Sequence, residues 1–117
     1  MLFLQKEYVM FVQMRRTVVT EGNAHKIVER FKKNPEKPSK VEQREGYIDR
    51  EVLVKKTRRG EEEVIVLIRW KSEEAWKAWE KSPEHIEGHK KKIAEHGGKP
   101  PKPDYVISSE GGGYYVQ

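Results

Sequence analysis

Cysteine is absent from the 117-residue chain. Disulfides, thiolate metal sites and cysteine nucleophiles are therefore excluded, and a metal ligand has to be a histidine, a carboxylate, a tyrosine or a methionine. Long apolar runs are absent as well, because no stretch approaches the ~20 residues that a membrane span needs. The opening run Met1–Leu4 is followed by Lys6 and Glu7, which makes it too short for a signal peptide. These absences predict a cytoplasmic protein without a membrane partner.

Apolar residues are scarce, at 35% of the chain against 37% charged residues. A domain of this length buries only about two-thirds of its unfolded surface, so a partner subunit that covers further apolar surface would help it fold. We expect one domain over residues 1–117, with residues 1–9 as an extension and residues 111–117 as a tail. The net charge of +5 favours anionic partners. Nineteen interleaved acidic residues argue against a nucleic-acid binder.

The apolar pattern predicts the order strand, helix, strand, strand, helix, helix, strand. The predicted strands are Tyr8–Thr20, Tyr47–Lys56, Glu63–Trp70 and Tyr105–Ile107. The predicted helices are approximately Ala24–Lys33, Glu73–Lys81 and Glu84–Glu95, with Asn23 and Ser72 as N-caps and Pro83 at a first helical position. This order is the split βαβ arrangement of α+β ferredoxin-like domains, with a four-stranded antiparallel sheet and helices on one face.

The third predicted strand contains the unbroken apolar run Val64–Ile68. A strand with one face in water should alternate between apolar and polar residues, so this strand is expected to be covered on both faces. One face would pack on the chain's own helices and the other on the sheet of a second subunit. The sequence therefore predicts a homodimer built as a dimeric α/β barrel.

Tryptophan and histidine are concentrated in one region, with Trp70, Trp76 and Trp79 followed by His85 and His89. On one straight helix Trp79 and His89 would differ by about 80°, but the break at the intervening proline allows both side chains to enter one cavity. For an arbitrary pair, a core tryptophan and a solvent-facing histidine would be the commoner outcome. The two histidines are four residues apart and share a helix face, so they could also chelate a metal ion.

Several stretches of the chain resemble the IsdG-type haem-degrading monooxygenases of the antibiotic biosynthesis monooxygenase superfamily, and especially the Bacillus-type members. The resemblance runs from about Met10 to Gln117. The matching stretches are Thr20–Gly22, Ile27–Phe31, Glu45–Tyr47, Ile68–Ser72, Trp76–Ser82 and Gly88–Lys90.

The resemblance implies that His89 binds haem iron and that Trp79 presses on the porphyrin and distorts it. Haem would be both cofactor and substrate, an external reductase or small reductant would supply electrons, and ring opening would release iron. An imidazole ligand leaves iron with an open position for oxygen. A basic rim would attract the haem propionates. Its candidate members are Arg15, Arg16, Lys90, Lys91 and Lys92, although the three lysines could equally be a solvated helix end.

One position departs from the family pattern. Members of the family commonly carry an asparagine on the first strand that donates a hydrogen bond near the bound oxygen, and that position falls here on Arg15, with Gln13 on the same side of the strand. An arginine can donate too, but its charge and reach differ. Two alternatives therefore stay open: a cofactor-free monooxygenase acting on a quinone-like substrate, and a haem-binding protein without turnover.

Overall fold

Four antiparallel strands and three helices make up the computed structural model, which describes residues 9–57, 59–95, 97–98 and 102–117. The strands are β1 (Phe11–Val19), β2 (Tyr47–Lys56), β3 (Glu62–Trp70) and β4 (Val106–Tyr115). The helices are α1 (Ala24–Arg30), α2 (Glu73–Glu80) and α3 (Pro83–Glu95). The strand order across the sheet is β2-β3-β1-β4, which confirms the ferredoxin-like prediction. Apart from Val9, the predicted N-terminal extension lies outside the described residues.

The hydrophobic core lies between one face of the sheet and α1. Its buried members are Val19, Ala24, Ile27, Val64, Val66 and Val106. Strand side chains alternate between the two faces, so Val64, Val66 and Trp70 of β3 all point toward the helices. The side chain of Trp70 is completely buried, and its ring meets Tyr47 edge to face at 5.9 Å. One face of β3 therefore packs on the chain's own helices, as its unbroken apolar run predicts.

The opposite face of the sheet carries apolar side chains that no helix of the described chain covers. Ile65 and Leu67 of β3 point to this face and are only partly buried. Charged residues lie at its margins, where Arg16 pairs with Glu63 at 2.8 Å. The result is an apolar strip bordered by ion pairs.

The two predicted N-caps have different outcomes. Ser72 caps α2 as predicted, because its hydroxyl accepts a hydrogen bond from the Ala75 backbone N–H at 3.2 Å. Asn23 occupies the N-cap position of α1 as predicted, but its side chain makes no capping hydrogen bond, since its amide donates to the Thr20 hydroxyl at 2.6 Å. The carboxylate of Glu62, at the start of β3, accepts the N–H of Ala24 at 2.9 Å. A distant carboxylate thus caps α1 and suits the positive end of the helix dipole.

Helix α1 ends three residues before its predicted end. The Phe31 N–H turns back to the Val28 carbonyl at 3.0 Å, which tightens the last turn. The Phe31 carbonyl then accepts a hydrogen bond from the guanidinium of Arg50 on β2 at 3.1 Å. Because Arg50 is buried, this side chain fixes the end of the helix against the sheet.

Strand β4 is much longer than predicted, and the assignment of residues 111–115 to a tail is wrong. These residues pair with β1 in a register that places Gly111 beside Arg15 and Tyr115 beside Phe11. Glycine is rare in strands, which is why this stretch was predicted to lie outside the sheet. In β4 the absence of a side chain at Gly111 makes room for Arg15, since a Cβ there would lie 2.7 Å from the Arg15 guanidinium.

Candidate functional site

A cavity of about 560 Å³ lies between the helix-facing side of the sheet and helices α1 and α2. Its volume is within the 300–1,000 Å³ range of small-molecule sites. The sheet contributes Gln13, Arg15, Thr17, Val66, Ile68, Ser109 and Gly111–Gly113, and the helices contribute Ile27, Arg30, Trp76 and Glu80. Phe31, Lys102, Pro103 and Val106 complete most of the lining. The cavity combines apolar walls with a few polar groups, as ligand sites do.

Two buried polar atoms on cavity residues have no hydrogen-bond partner. They are the amide oxygen of Gln13 and the indole nitrogen of Trp76. Buried polar groups are nearly always paired, and leaving one unpaired costs about 1–3 kcal/mol. Gln13 and Trp76 are thus cavity residues that each carry one unsatisfied polar atom.

Three cationic side chains line the cavity: Arg15, Arg30 and Lys102. Arg15 donates to the Ser109 hydroxyl at 3.2 Å, and Arg30 donates to the Tyr105 hydroxyl at 2.6 Å. These contacts hold two guanidinium groups at the wall, where they favour an anionic ligand.

Most of the predicted basic rim lies elsewhere. Lys90 and Lys91 line a separate groove together with Lys40, Glu84 and Glu87. Arg16 points to the opposite face of the sheet because it alternates with Arg15 along β1. Of the predicted rim residues outside α3, only Arg15 lines the cavity, and Arg30 and Lys102 supply the other charges.

Trp79, His85 and His89 form a row of rings in edge-to-face contact on α2 and α3, which we call the imidazole ladder. The Trp79 and His85 ring centroids are 4.9 Å apart, and those of His85 and His89 are 4.5 Å apart. The Nε2 atoms of the two histidines are 3.2 Å apart and share a hydrogen bond. His85 is half-buried, whereas His89 is exposed.

Neither Trp79 nor His89 is among the described residues that line the cavity. In this conformation the two side chains do not share the cavity, and their contact with one ligand stays a prediction. The cause is the orientation of α2: Trp76 and Glu80 are four residues apart and share the face that lines the cavity, whereas Trp79 is turned toward α3. By contrast, Gln13 and Arg15 line the cavity together, on the same side of β1.

Glu80 connects the cavity to the imidazole ladder. It lines the cavity, and its carboxylate oxygen lies 3.3 Å from Nε2 of His85. The ladder therefore adjoins the cavity wall through one side chain.

Helix α3 is held by few contacts. None of its residues is buried, and α2 is its main packing partner. Its start is fixed locally, since the Ser82 hydroxyl accepts the His85 N–H at 3.2 Å and Arg44 pairs with Glu84 at 3.3 Å. A helix with so little buried surface can change its position at small energetic cost.

Helix α2, in contrast, is anchored to the strands at the end of the cavity. Phe11 packs on Trp76 with ring centroids 5.1 Å apart and on Tyr115 at 5.5 Å. The Tyr115 hydroxyl donates to the Glu73 carboxylate at 2.8 Å, and this hydrogen bond raises the pKa of Tyr115 above its usual value. These contacts fix the wall that carries Trp76.

The family model described as "Antibiotic biosynthesis monooxygenase" matches residues 10–91. The chain belongs to the antibiotic biosynthesis monooxygenase family. A crystal structure of a candidate member from Bacillus cereus has 43% sequence identity and a TM-score of 0.73, with 93% of this chain and 94% of that one covered. No helix in the described part of this family member is long and apolar enough to cross a bilayer.

Curated relatives of this family member carry a more specific name. The haem-degrading monooxygenase HmoA of Bacillus subtilis is 52% identical over 108 residues, which are 92% of each chain. A haem-degrading monooxygenase of Bacillus mycoides is 32% identical over 101 residues, which are 86% of this chain and 84% of the relative.

Trp76, Glu80 and Arg30 are cavity residues that sequence analysis missed. The spacing of Trp76 and Glu80 was a usable signal, because residues four apart share a helix face. Arg30 gave no such signal, since a basic residue in the last turn of a helix is also explained by the helix dipole.

Proposed function

We propose that this chain is a haem-degrading monooxygenase that binds haem as its substrate, opens the porphyrin ring with oxygen and an external reductant, and releases iron. The observation that carries the proposal is the 52% identity to a haem-degrading monooxygenase over 92% of both chains. The cavity supports it, because it combines apolar walls with cationic side chains. Haem has the same character, with a flat apolar ring and two anionic propionates.

Each side of the cavity has its own task in this proposal. Gln13 and Arg15 would supply polar contacts from the sheet, and Arg30 and Lys102 would attract the propionates. Trp76 would form a fixed wall. His89 would ligate the iron, and Trp79 would press on the porphyrin, where a wide indole can enforce a non-planar ring.

For this chemistry His89 has to approach the cavity together with α3, whereas Trp79, on the anchored helix α2, has to turn its side chain toward the cavity. The light attachment of α3 supports such a shift, because no residue of α3 is buried. Residues in α2 and α3 would thus complete the site once the ligand is bound.

We also propose that the protein works as a homodimer in which two sheets pack face to face as a dimeric α/β barrel. The apolar strip around Ile65 and Leu67 supports this, as does Leu53 on β2, which is 46% exposed. A second copy would cover these side chains and exclude water from them. Replacing Leu67 with Glu should yield monomers in analytical ultracentrifugation, and an unchanged dimer would contradict this arrangement.

A cytoplasmic location fits the proposed reaction, because a reductase or a small cellular reductant has to deliver electrons.

A second candidate is a cofactor-free monooxygenase acting on a quinone-like substrate. It is favoured by the lining of the cavity, which includes Gln13, Arg15 and Trp76 but neither Trp79 nor His89. In that case haem would not bind tightly. A haem-binding protein without turnover is the other alternative, because Arg15 stands where the family pattern has asparagine.

The visible spectrum of the purified protein with added haemin separates these functions. The proposal predicts a histidine-ligated haem spectrum that decays with iron release when a reductant is added under air. A stable spectrum would indicate binding without turnover. No spectral change would contradict haem binding and favour the cofactor-free enzyme.

A further inference from the structure

The pair of histidines on α3 has a geometry suited to an ion that is not part of haem. The Nε2 atoms of His85 and His89 are 3.2 Å apart, and their ring planes are inclined by 76°. An ion about 2.0–2.1 Å from each nitrogen would bind both at an N–metal–N angle of about 100°. That angle suits both tetrahedral coordination and neighbouring positions of an octahedron.

A carboxylate stands beside this pair. The Oε2 atom of Glu80 is 3.3 Å from Nε2 of His85. Non-haem Fe(II) is commonly bound by two imidazoles and one carboxylate, which leave other coordination positions of the iron open. Imidazoles also suit zinc, copper and nickel. Within the described ranges, no three histidine, aspartate or glutamate side chains are already arranged to hold a metal ion. Glu80 would therefore have to turn toward the ion.

Two carboxylates of α3 itself are less suitable. Glu84 is held by Arg44 at 3.3 Å, and Glu87 lines the separate groove with Lys90 and Lys91. The exposed position of His89 gives a hydrated ion access to the pair.

We propose that His85 and His89 chelate a divalent transition-metal ion, with Glu80 as an additional donor, and that this ion and haem exclude each other. The exclusion rests on the proposed function, because it requires His89 to be the haem ligand. A nitrogen lone pair that binds the ion cannot also bind haem iron. Free divalent metal, including iron released from the substrate after reduction, would therefore act as an inhibitor of haem loading.

The ion site is tested by titrating untagged, haem-free protein with Zn²⁺ in a calorimeter. We expect one ion per chain, and His85→Ala should weaken binding by more than the ~10-fold that loss of one outer-shell partner costs. Glu80→Gln should weaken it by a smaller factor. His25→Ala is the matched control, because His25 lies on α1 and hydrogen-bonds locally to the Gly22 carbonyl at 3.0 Å. Equal affinity of the wild type and His85→Ala would overturn the site.

The exclusion is tested by titrating haemin into the protein with and without saturating Zn²⁺. We expect Zn²⁺ to suppress the haem spectrum of the wild type and to have little effect on His85→Ala. Normal haem binding beside a bound zinc ion would overturn the exclusion and with it the ligand role of His89, while the ion site would stand. Failure of Zn²⁺ to bind to a protein that still binds and degrades haem would overturn the ion site and leave the proposed function intact.

Discussion

The sheet side of the site and the α3 side differ in how firmly the fold holds them. Gln13 and Arg15 lie on a central strand, and the Trp76 wall is fixed by the ring of Phe11. His89 lies on α3, where eleven of the thirteen residues are exposed, compared with three of the eight residues of α2. The packing of the chain therefore determines the cavity in advance, whereas we expect the position of the proposed iron ligand to depend on what is bound. A site of this kind can admit a large flat ligand and close on it afterwards.

Stability should separate the two regions most strongly. Trp70→Ala should lower the free energy of unfolding by about 3–5 kcal/mol, because the Trp70 side chain is fully buried. The matched substitution on α3, Ile93→Ala, should change it by less than ~0.5 kcal/mol, since Ile93 is 45% exposed. Urea unfolding measures both. A large decrease in the free energy of unfolding of Ile93→Ala would show that α3 is held more firmly than its contacts indicate.

Trp79, which lies on α2 and contacts His85 of α3, tests whether the imidazole ladder takes part in the chemistry. Trp79→Ala should leave haem binding intact and slow ring opening on the order of tenfold, which corresponds to about 1.4 kcal/mol of barrier. The measurement is the single-turnover decay of the haem spectrum. The ring-opening rate of Trp79→Phe should lie between the rates of the wild type and Trp79→Ala. Full activity of Trp79→Ala would show that distortion by the indole is not needed.

Arg15 tests the sheet side. Arg15→Ala should slow turnover on the order of fivefold, the effect of losing about 1 kcal/mol from one hydrogen bond, while the ligand spectrum is retained. Lys91→Ala is the control, because Lys91 is basic but lines the separate groove. If both variants had equal effects, the general charge of the protein would explain them and the placement of Arg15 would not.

The segment between α1 and β2, outside both regions, should show the smallest effect, through pH. The Ser39 hydroxyl and backbone N–H donate to Glu42 at 2.7 and 3.1 Å, and they lower the pKa of Glu42 below its ordinary value of 4.5. The stabilisation is complete above about 4.5 and is lost as the pH falls through the lowered pKa. Ser39→Ala should therefore flatten the acid dependence of the urea midpoint slightly. An unchanged acid limb would show that the hydrogen bond from the Ser39 hydroxyl contributes nothing.

Most of the fold follows from the sequence because periodic apolar patterns report burial. The apolar run in β3 indicated the face that packs on the helices, and Ser72 indicated the start of α2, whereas the cover of the other face of β3 stays a prediction. The length of β4 was missed because the glycines there serve the packing of Arg15 and Phe11, a tertiary cause that no local propensity contains. The cap of α1 was missed for the same reason, since the capping residue Glu62 lies on β3, far from the helix in the sequence.

The candidate site was predictable only in part. Alternation along β1 correctly placed Gln13 and Arg15 together. The spacing of Trp79 and His89 could not reveal that α2 would present Trp76 and Glu80 to the cavity, because that depends on how the helix rotates against the sheet.

Haemin titration of His89→Ala beside His85→Ala tests the proposed ligation most directly. The two imidazoles are neighbours on the same helix, so the variants differ little in fold or charge. We expect the first variant to lose the histidine-ligated spectrum and the second to keep it. A histidine-ligated spectrum that persists in His89→Ala would contradict the assignment of the iron ligand.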